Sequence, residues 1–488
     1  MDIKKFDLKG CSCGYEHPQI DMVVEIGRGL LPKTAEILKN FPRNILVVAD
    51  NNTLGASDGL LDVLTAGGFH YHLHCYENCI EADMAQVKEI EKICAPYDGI
   101  LAVGSGSIGD ICRLASFNAK KAFAIFATAA SMDGFASSTA PITIDNFKES
   151  ILCHVPSVII GDTDILAKAP VELKAAGFGD IIAKYIALVD WKIATMVSDE
   201  YFCSSVDALV KDALEKSMAQ ADKVTEEDPE AAGAMMEALV LSGIAMTLAN
   251  NTRPASAAEH LVSHFWEMKK LERREPMPLH GAKVGIGTLM IAKLYHDIAD
   301  GVMGEPVFQE DYTDWAGVYK AYGPGFKAEI DKLNNPSIID KTSPEILQKH
   351  WSDICRLIKD ELPPYKELYR LMKAAGAVTA IEEIDVDRQL ALDALAFHPY
   401  MRYRINLTRL LPMLGIKPDY AVLLEPPVCA EGGASGVLAK QGPYQLICHA
   451  YYCGWKSDVI EDLEEIESIE KCPRCGVGRG PKLQVETM

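Results

Sequence analysis

Over the first third of the chain, short apolar runs alternate with segments of helical spacing. The runs at 22–26, 45–49, 71–75, 99–103, 122–126 and 157–160 are mostly apolar and read as strands, continuous apolar runs being those of strands buried on both faces. Segments between them, such as 59–66 and 82–94, read as crossover helices. This alternation predicts an α/β unit with a mostly parallel sheet over residues 1–165. After about residue 167 the apolar period becomes helical throughout, at 180–197, 204–218, 231–250, 257–268 and 281–298. An all-helical second domain is therefore expected over 166–416. Pro426-Pro427 and the glycines between 432 and 436 then break the pattern, leaving a cysteine-rich extension over 417–488. There is no internal repeat.

Composition narrows the function classes. A chain of 488 residues exceeds one compact core. Forty-eight basic against 69 acidic side chains leave a net charge of −21, which repels phosphate backbones and argues against nucleic acid as a partner. No run of about 18 apolar residues stands out, so no membrane-spanning segment is expected. The opening Met-Asp-Ile-Lys-Lys-Phe-Asp lacks the apolar centre of a signal peptide. The 14 cysteines then read as reduced thiols and metal ligands of a cytoplasmic protein. The many apolar helices leave room for a homo-oligomeric contact.

Two turns carry candidate cofactor chemistry. Leu101-Ala102-Val103 leads into Gly104-Ser105-Gly106-Ser107-Ile108-Gly109-Asp110 and then a helical pattern. Glycines allow close approach to a pyrophosphate, and the following helix offers free N–H groups and a positive dipole end. In an ordinary dinucleotide-binding fold this motif follows the first strand, with an acid about 20 residues later. Here it follows the fourth, and the acid, Asp50, comes earlier. Asp50 either accepts from ribose hydroxyls or caps the next helix. The second turn, Thr128-Ala129-Ala130-Ser131-Met132-Asp133-Gly134 followed by Ser137 and Ser138, offers small residues and hydroxyls after a strand. It is either a cofactor contact or a plain polar loop.

Three segments of the helical half carry metal-ligand types. Gly177-Phe178-Gly179-Asp180 is expected to open a helix. Ser256-Ala257-Ala258-Glu259 reads as a capping box, placing His260 and His264 one turn apart on one helix face. Leu279-His280-Gly281 opens the next helix. Asp180, His260 and His280 suit a divalent metal such as zinc, with positions open for substrate. Arg253 is a candidate for a substrate anion, or an exposed ion pair.

These segments resemble a known family. Residues 103–110, 128–138, 176–180, 252–260 and 279–285 resemble the sn-glycerol-1-phosphate dehydrogenases, in the iron-containing alcohol dehydrogenase and dehydroquinate synthase superfamily. The resemblance spans about 15–416, and 128–138 and 253–266 are its most specific stretches. It implies a metal-dependent oxidoreductase that couples dihydroxyacetone phosphate and sn-glycerol 1-phosphate to NAD(H) or NADP(H), with zinc or nickel bound. It implies Asp50 as the adenosine-side acid, Gly106 to Asp110 as the pyrophosphate turn, and Thr128, Ala129, Ala130, Ser131 and Ser137 as further cofactor contacts. Asp133 is implied as a substrate contact, Asp180, His260 and His280 as metal ligands, and His264 as the group beside the substrate. One departure is Lys184, four residues after Asp180, where the iron-dependent alcohol dehydrogenases carry a histidine; it points to a three-ligand site.

Cys448 and Cys453, then 18 intervening residues, then Cys472 and Cys475 fall within zinc-ribbon spacing. Cys11, Cys13 and His17 form a weaker pattern, either another metal site or a small apolar cluster. Three other functions stay open at this stage. One is oxidation of glycerol or another polyol on the same fold, and a second is a dehydroquinate synthase-like lyase. The third is a non-catalytic metal-binding scaffold.

Overall fold

The computed structural model describes residues 1–79, 81–144, 147–427, 444–448 and 483–487. Residues 1–379 and 388–425 form one compact unit, and residues 380–387 and 426–488 a second. All six expected strands are present, as β1 (Val23–Gly27), β2 (Asn44–Asp50), β3 (His70–Tyr76), β4 (Gly99–Gly104), β5 (Ala122–Ala127) and β8 (Val158–Asp162). They form one sheet in the order β1-β8-β5-β4-β2-β3, with every neighbouring pair parallel. Ile45, Val47, Ala49, Leu101 and Val103 are fully buried, and they pack with Leu60 and Leu64 of the helix Leu60–Ala66 in one core. Central strands sealed on both faces explain the unbroken apolar runs.

Strand order reverses beside β2, because β3 lies on one side of it and β4 on the other. Open α/β sheets bind ligands outside the carboxyl ends of strands at such a reversal. Asp50 ends β2 and Gly104 ends β4, so the two candidate cofactor elements flank that crevice. The sequence pattern did not announce the antiparallel hairpin β6 (Thr139–Ile144) and β7 (Phe147–Leu152).

The helical part corrects three expectations. The predicted 180–197 helix is two, Val171–Ile182 and Lys184–Val197, so Asp180 lies near a helix end rather than opening one. The glycines before Asp180 serve close packing instead. A Cβ on Gly177 would sit 2.0 Å from the Ala130 carbonyl oxygen, which brings the 128–133 turn onto this helix. A Cβ on Gly281 would sit 1.8 Å from the Ala176 carbonyl oxygen, so the helix His280–Ala299 crosses at backbone contact. Next, the helix Ala258–Arg273 starts where expected, but Ser256 does not cap it; the Glu259 carboxylate accepts from the Ala257 N–H at 2.9 Å. Finally, the helix Pro229–Ala249 is long and apolar enough to cross a membrane by length and composition. In this fold 89% of its most apolar stretch is buried within the protein, so packing accounts for its character.

In the second unit, Tyr444–Cys448 and Leu483–Thr487 pair antiparallel. Cys453, Cys472 and Cys475 of the expected zinc ribbon lie outside the described residues, and of Cys448 only the strand position is described.

Candidate active site

Three helices bring Asp180, His260 and His280 together, with one ligand atom of each mutually within 4.8 Å. Asp180 comes from Val171–Ile182, His260 from the first turn of Ala258–Arg273, and His280 from the first position of His280–Ala299. The Nδ1 of His260 is 2.7 Å from Glu259 Oε1, and its Nε2 lies 3.7 Å from Asp180 Oδ1. A carboxylate on Nδ1 fixes the tautomer with its lone pair on Nε2, the orientation a metal-ligating histidine needs. Burial pushes the His260 ring down to about 3, with the Lys184 charge adding to the shift, so it stays a neutral donor. One carboxylate and two imidazoles with positions to spare fit a divalent cation.

Asp180 is fully buried, and burial alone would raise its pKa. The Lys184 ammonium, then His280 and His260, outweigh this and hold the carboxyl well below the usual carboxylate range. Lys184 Nζ sits 2.8 Å from Asp180 Oδ1 and 2.7 Å from Asp133 Oδ2. Its ammonium thus serves both carboxylates at once. The Asp133 N–H donates to Asp180 Oδ2 at 2.9 Å, and Ser242 Oγ donates to Asp133 Oδ2 at 2.9 Å. The strand-end turn and the metal helix thus share one buried polar network.

His264 lies beside these three candidate ligands, its ring centroid 6.2 Å from that of His260 and 6.1 Å from that of His280. Its Nδ1 is 2.8 Å from Glu267 Oε2, and burial pushes its pKa down to about 4. Glu267 also pairs with Lys283 at 2.8 Å and lies 3.9 Å from His280 Nδ1. Arg402 is close enough for its charge to act on both His264 and Glu267.

On the cofactor side, Gly104 closes β4 and the helix Gly106–Asn118 follows, so Gly106, Ser107 and Ile108 form its first turn, with Gly109 and Asp110 next. Thr128, Ala129, Ala130, Ser131 and Ser137 are all buried around the carboxyl end of β5. The Ser137 hydroxyl meets Thr139 Oγ1 at 2.9 Å, within the turn itself. Asp50 caps the helix Asn51–Ala56, accepting from Thr53 N at 2.8 Å and, through its other oxygen, from Cys79 N at 3.2 Å. Arg253 is no exposed ion pair. It is buried, with Nε and Nη2 donating to Glu200 and Nη1 to the Ile405 carbonyl at 2.6 Å.

The sequence pattern presents Glu259 only as part of a capping box and does not single out Glu267 or Arg113. Glu259 adjoins a ligand in sequence, and Glu267 stands one helical turn from His264, a spacing that signals a carboxylate–histidine pair. Arg113, fully buried, donates to the carbonyls of Thr139, Gly134 and Phe135 and holds the 133–139 turn. No local pattern marks it.

Residues 25–170 match the iron-containing alcohol dehydrogenase family. The chain is similar to proteins named glycerol-1-phosphate dehydrogenase (NAD(P)+). With that of Halalkalibacterium halodurans it shares 36% identity over 410 residues, covering 81% of this chain and 94% of the relative. With that of Geobacillus stearothermophilus it shares 30% over 413 residues, covering 83% and 95%. Among solved structures, an archaeal alcohol dehydrogenase from a Red Sea brine pool shares the fold, with a TM-score of 0.55 at 15% identity over 80% of this chain and 93% of that one.

Proposed function

The chain belongs to the glycerol-1-phosphate dehydrogenase family, and from that premise we propose that it interconverts dihydroxyacetone phosphate and sn-glycerol 1-phosphate. The electron carrier is NAD(H) or NADP(H), and the site holds one divalent metal, zinc or nickel. The observation that carries the reading is the convergence of Asp180, His260 and His280 from three helices. A divalent metal held there would supply Lewis acidity to the substrate's carbonyl or hydroxyl oxygen, and a bound nicotinamide would supply the hydride exchange.

The chain's own residues do the rest. Asp180, His260 and His280 hold the cation. Glu259 orients His260, and Lys184 keeps Asp180 ionised. His264, with Nδ1 held by the Glu267 carboxylate, keeps Nε2 as its unprotonated nitrogen and relays the hydroxyl proton. Gly104, Gly106 and the helix behind them take the pyrophosphate, and the 128–137 turn lies along the nicotinamide half. With three Arg253 donors already engaged, Arg402 is the better cation for the triose phosphate. Asp50, fixed by two backbone donors, places a negative charge where a 2′-phosphate would lie and so favours NADH over NADPH. The protein works in the cytoplasm as a homo-oligomer.

The test is reduction of dihydroxyacetone phosphate by NADH, abolished by a chelator and restored by zinc or nickel. Absence of turnover in metal-replete protein refutes the reading, and preference for unphosphorylated dihydroxyacetone would make it a polyol dehydrogenase.

A further inference from the structure

Four donors other than the active-site ligands also converge: Cys11, Cys13, His17 and Cys203, with one atom of each within 4.8 Å of all the others. We propose that they form a closed, tetrahedral structural zinc site that clamps the amino-terminal segment onto the helical layer. Zn–S bonds of about 2.3 Å and Zn–N bonds of about 2.0–2.1 Å put neighbouring donors of a tetrahedron roughly 3.5–3.8 Å apart. Cys11 Sγ and Cys203 Sγ are 3.7 Å apart, Cys203 Sγ and His17 Nε2 3.6 Å, and Cys13 Sγ and His17 Nε2 3.1 Å.

The surroundings are those of thiolate ligands rather than of idle thiols. His17 Nδ1 meets the Leu248 carbonyl at 2.9 Å. A carbonyl can only accept, so Nδ1 carries the proton and Nε2 presents its lone pair to the three sulfurs. Hydroxyl groups stand beside two of the sulfurs, Ser205 Oγ at 3.6 Å from Cys11 and Tyr201 OH at 3.5 Å from Cys13. Cys203 is the N-cap of the helix Ser204–Met218, whose dipole favours an anionic sulfur. Three sulfurs and one imidazole nitrogen converge here with their lone pairs close together, and a divalent cation would be bound by all four at once.

The placement explains a structural need. Before β1, the amino-terminal segment forms one short 3-10 helix, Ile3–Phe6, and tight turns around Cys11. It cannot build a core of its own. Joined through one metal to Cys203, and through His17 to the end of the helix Pro229–Ala249, it is held at both helices. Four protein donors leave no coordination position for substrate, so the site holds the chain and takes no part in turnover.

Cobalt(II) substitution of the full-length chain tests this, because cobalt–thiolate charge transfer absorbs in the ultraviolet and the Asp180, His260 and His280 set has no sulfur. A Cys453→Ser/Cys472→Ser background separates the terminal cysteines from the signal. The expected result is a charge-transfer band in that background, lost on adding Cys203→Ser with one metal equivalent per chain. His17→Cys, a zinc-competent replacement, is expected to keep the metal and raise the band by about one third, as a fourth sulfur joins three. No band in that background, a band that survives Cys203→Ser, or an unchanged band in His17→Cys overturns the proposal. If Cys203→Ser fails to fold, the His17→Cys band decides.

Discussion

The two donor clusters are built to opposite ends. Asp180, His260 and His280 offer one oxygen and two nitrogens and stop short of filling a tetrahedron. Their supports are ionisable groups, Glu259 on His260 and Lys184 on Asp180. Cys11, Cys13, His17 and Cys203 fill the tetrahedron with three sulfurs and a nitrogen, and their supports are hydroxyls and a carbonyl. An open set of oxygen and nitrogen donors tuned by nearby charge suits a cation that must grip and release substrate oxygen. A closed set of soft donors with neutral neighbours suits a cation that never lets go. On the proposed assignments, ligand type and number separate chemistry from anchoring.

The sharpest break of that comparison is Asp180→Asn, which removes the only anionic ligand of the open site. Transition-state charge stabilisation of several kcal/mol should be lost, lowering kcat about a thousandfold or more. Metal analysis should show one equivalent gone, with the cobalt–thiolate band unchanged. A fall in that band would mean the clusters are not independent.

Gly281→Ala comes next. The added methyl would have to displace the Ala176 backbone, and overpacking of this kind costs about 1–3 kcal/mol or more. Urea denaturation should report the loss, and the metal should bind more weakly because His280 adjoins the crossing. A variant as stable as the parent would contradict the backbone contact.

Glu259→Gln keeps the side chain's shape and removes its charge. Orienting partners of metal-bound histidines are worth about 10–100-fold in affinity or activity. A competitive chelator titration should show that loss at the open site. Ser205→Ala is the matching change at the closed site and should do far less. One hydrogen bond is worth about 0.5–1.5 kcal/mol, seen as a small drop in thermal midpoint with the metal retained. Equal effects of the two variants would erase the distinction drawn here.

How much of this was legible along the chain depends on distance. The central strands showed themselves because both of their faces are buried, with Ile45 and Val47 on one side of β2 and Leu46 and Val48 on the other. The hairpin after residue 138 was harder to see. Its alternation is interrupted by Pro141, which counts against a strand unless it lies at an edge. The ligand triad was readable as residue types near helix ends, but the reason for the glycines before Asp180 was not. Helix crossing depends on a partner, Gly281, about a hundred residues away. Cys203 shows the same limit, since 186 residues separate it from His17 and no local spacing joins them. Arg253 misled for a related reason, because its partner Glu200 lies 53 residues upstream. Charge pairing, like helix crossing, is settled in space.

Anomalous diffraction from crystals of the full-length, metal-replete chain, collected on either side of the metal's absorption edge, tests the central claim most directly. The account predicts one peak bonded to Asp180, His260 and His280 with a non-protein ligand completing its shell, and another enclosed by Cys11, Cys13, His17 and Cys203 alone. A first position filled entirely by protein donors, or no peak between Asp180 and the two histidines, would contradict it.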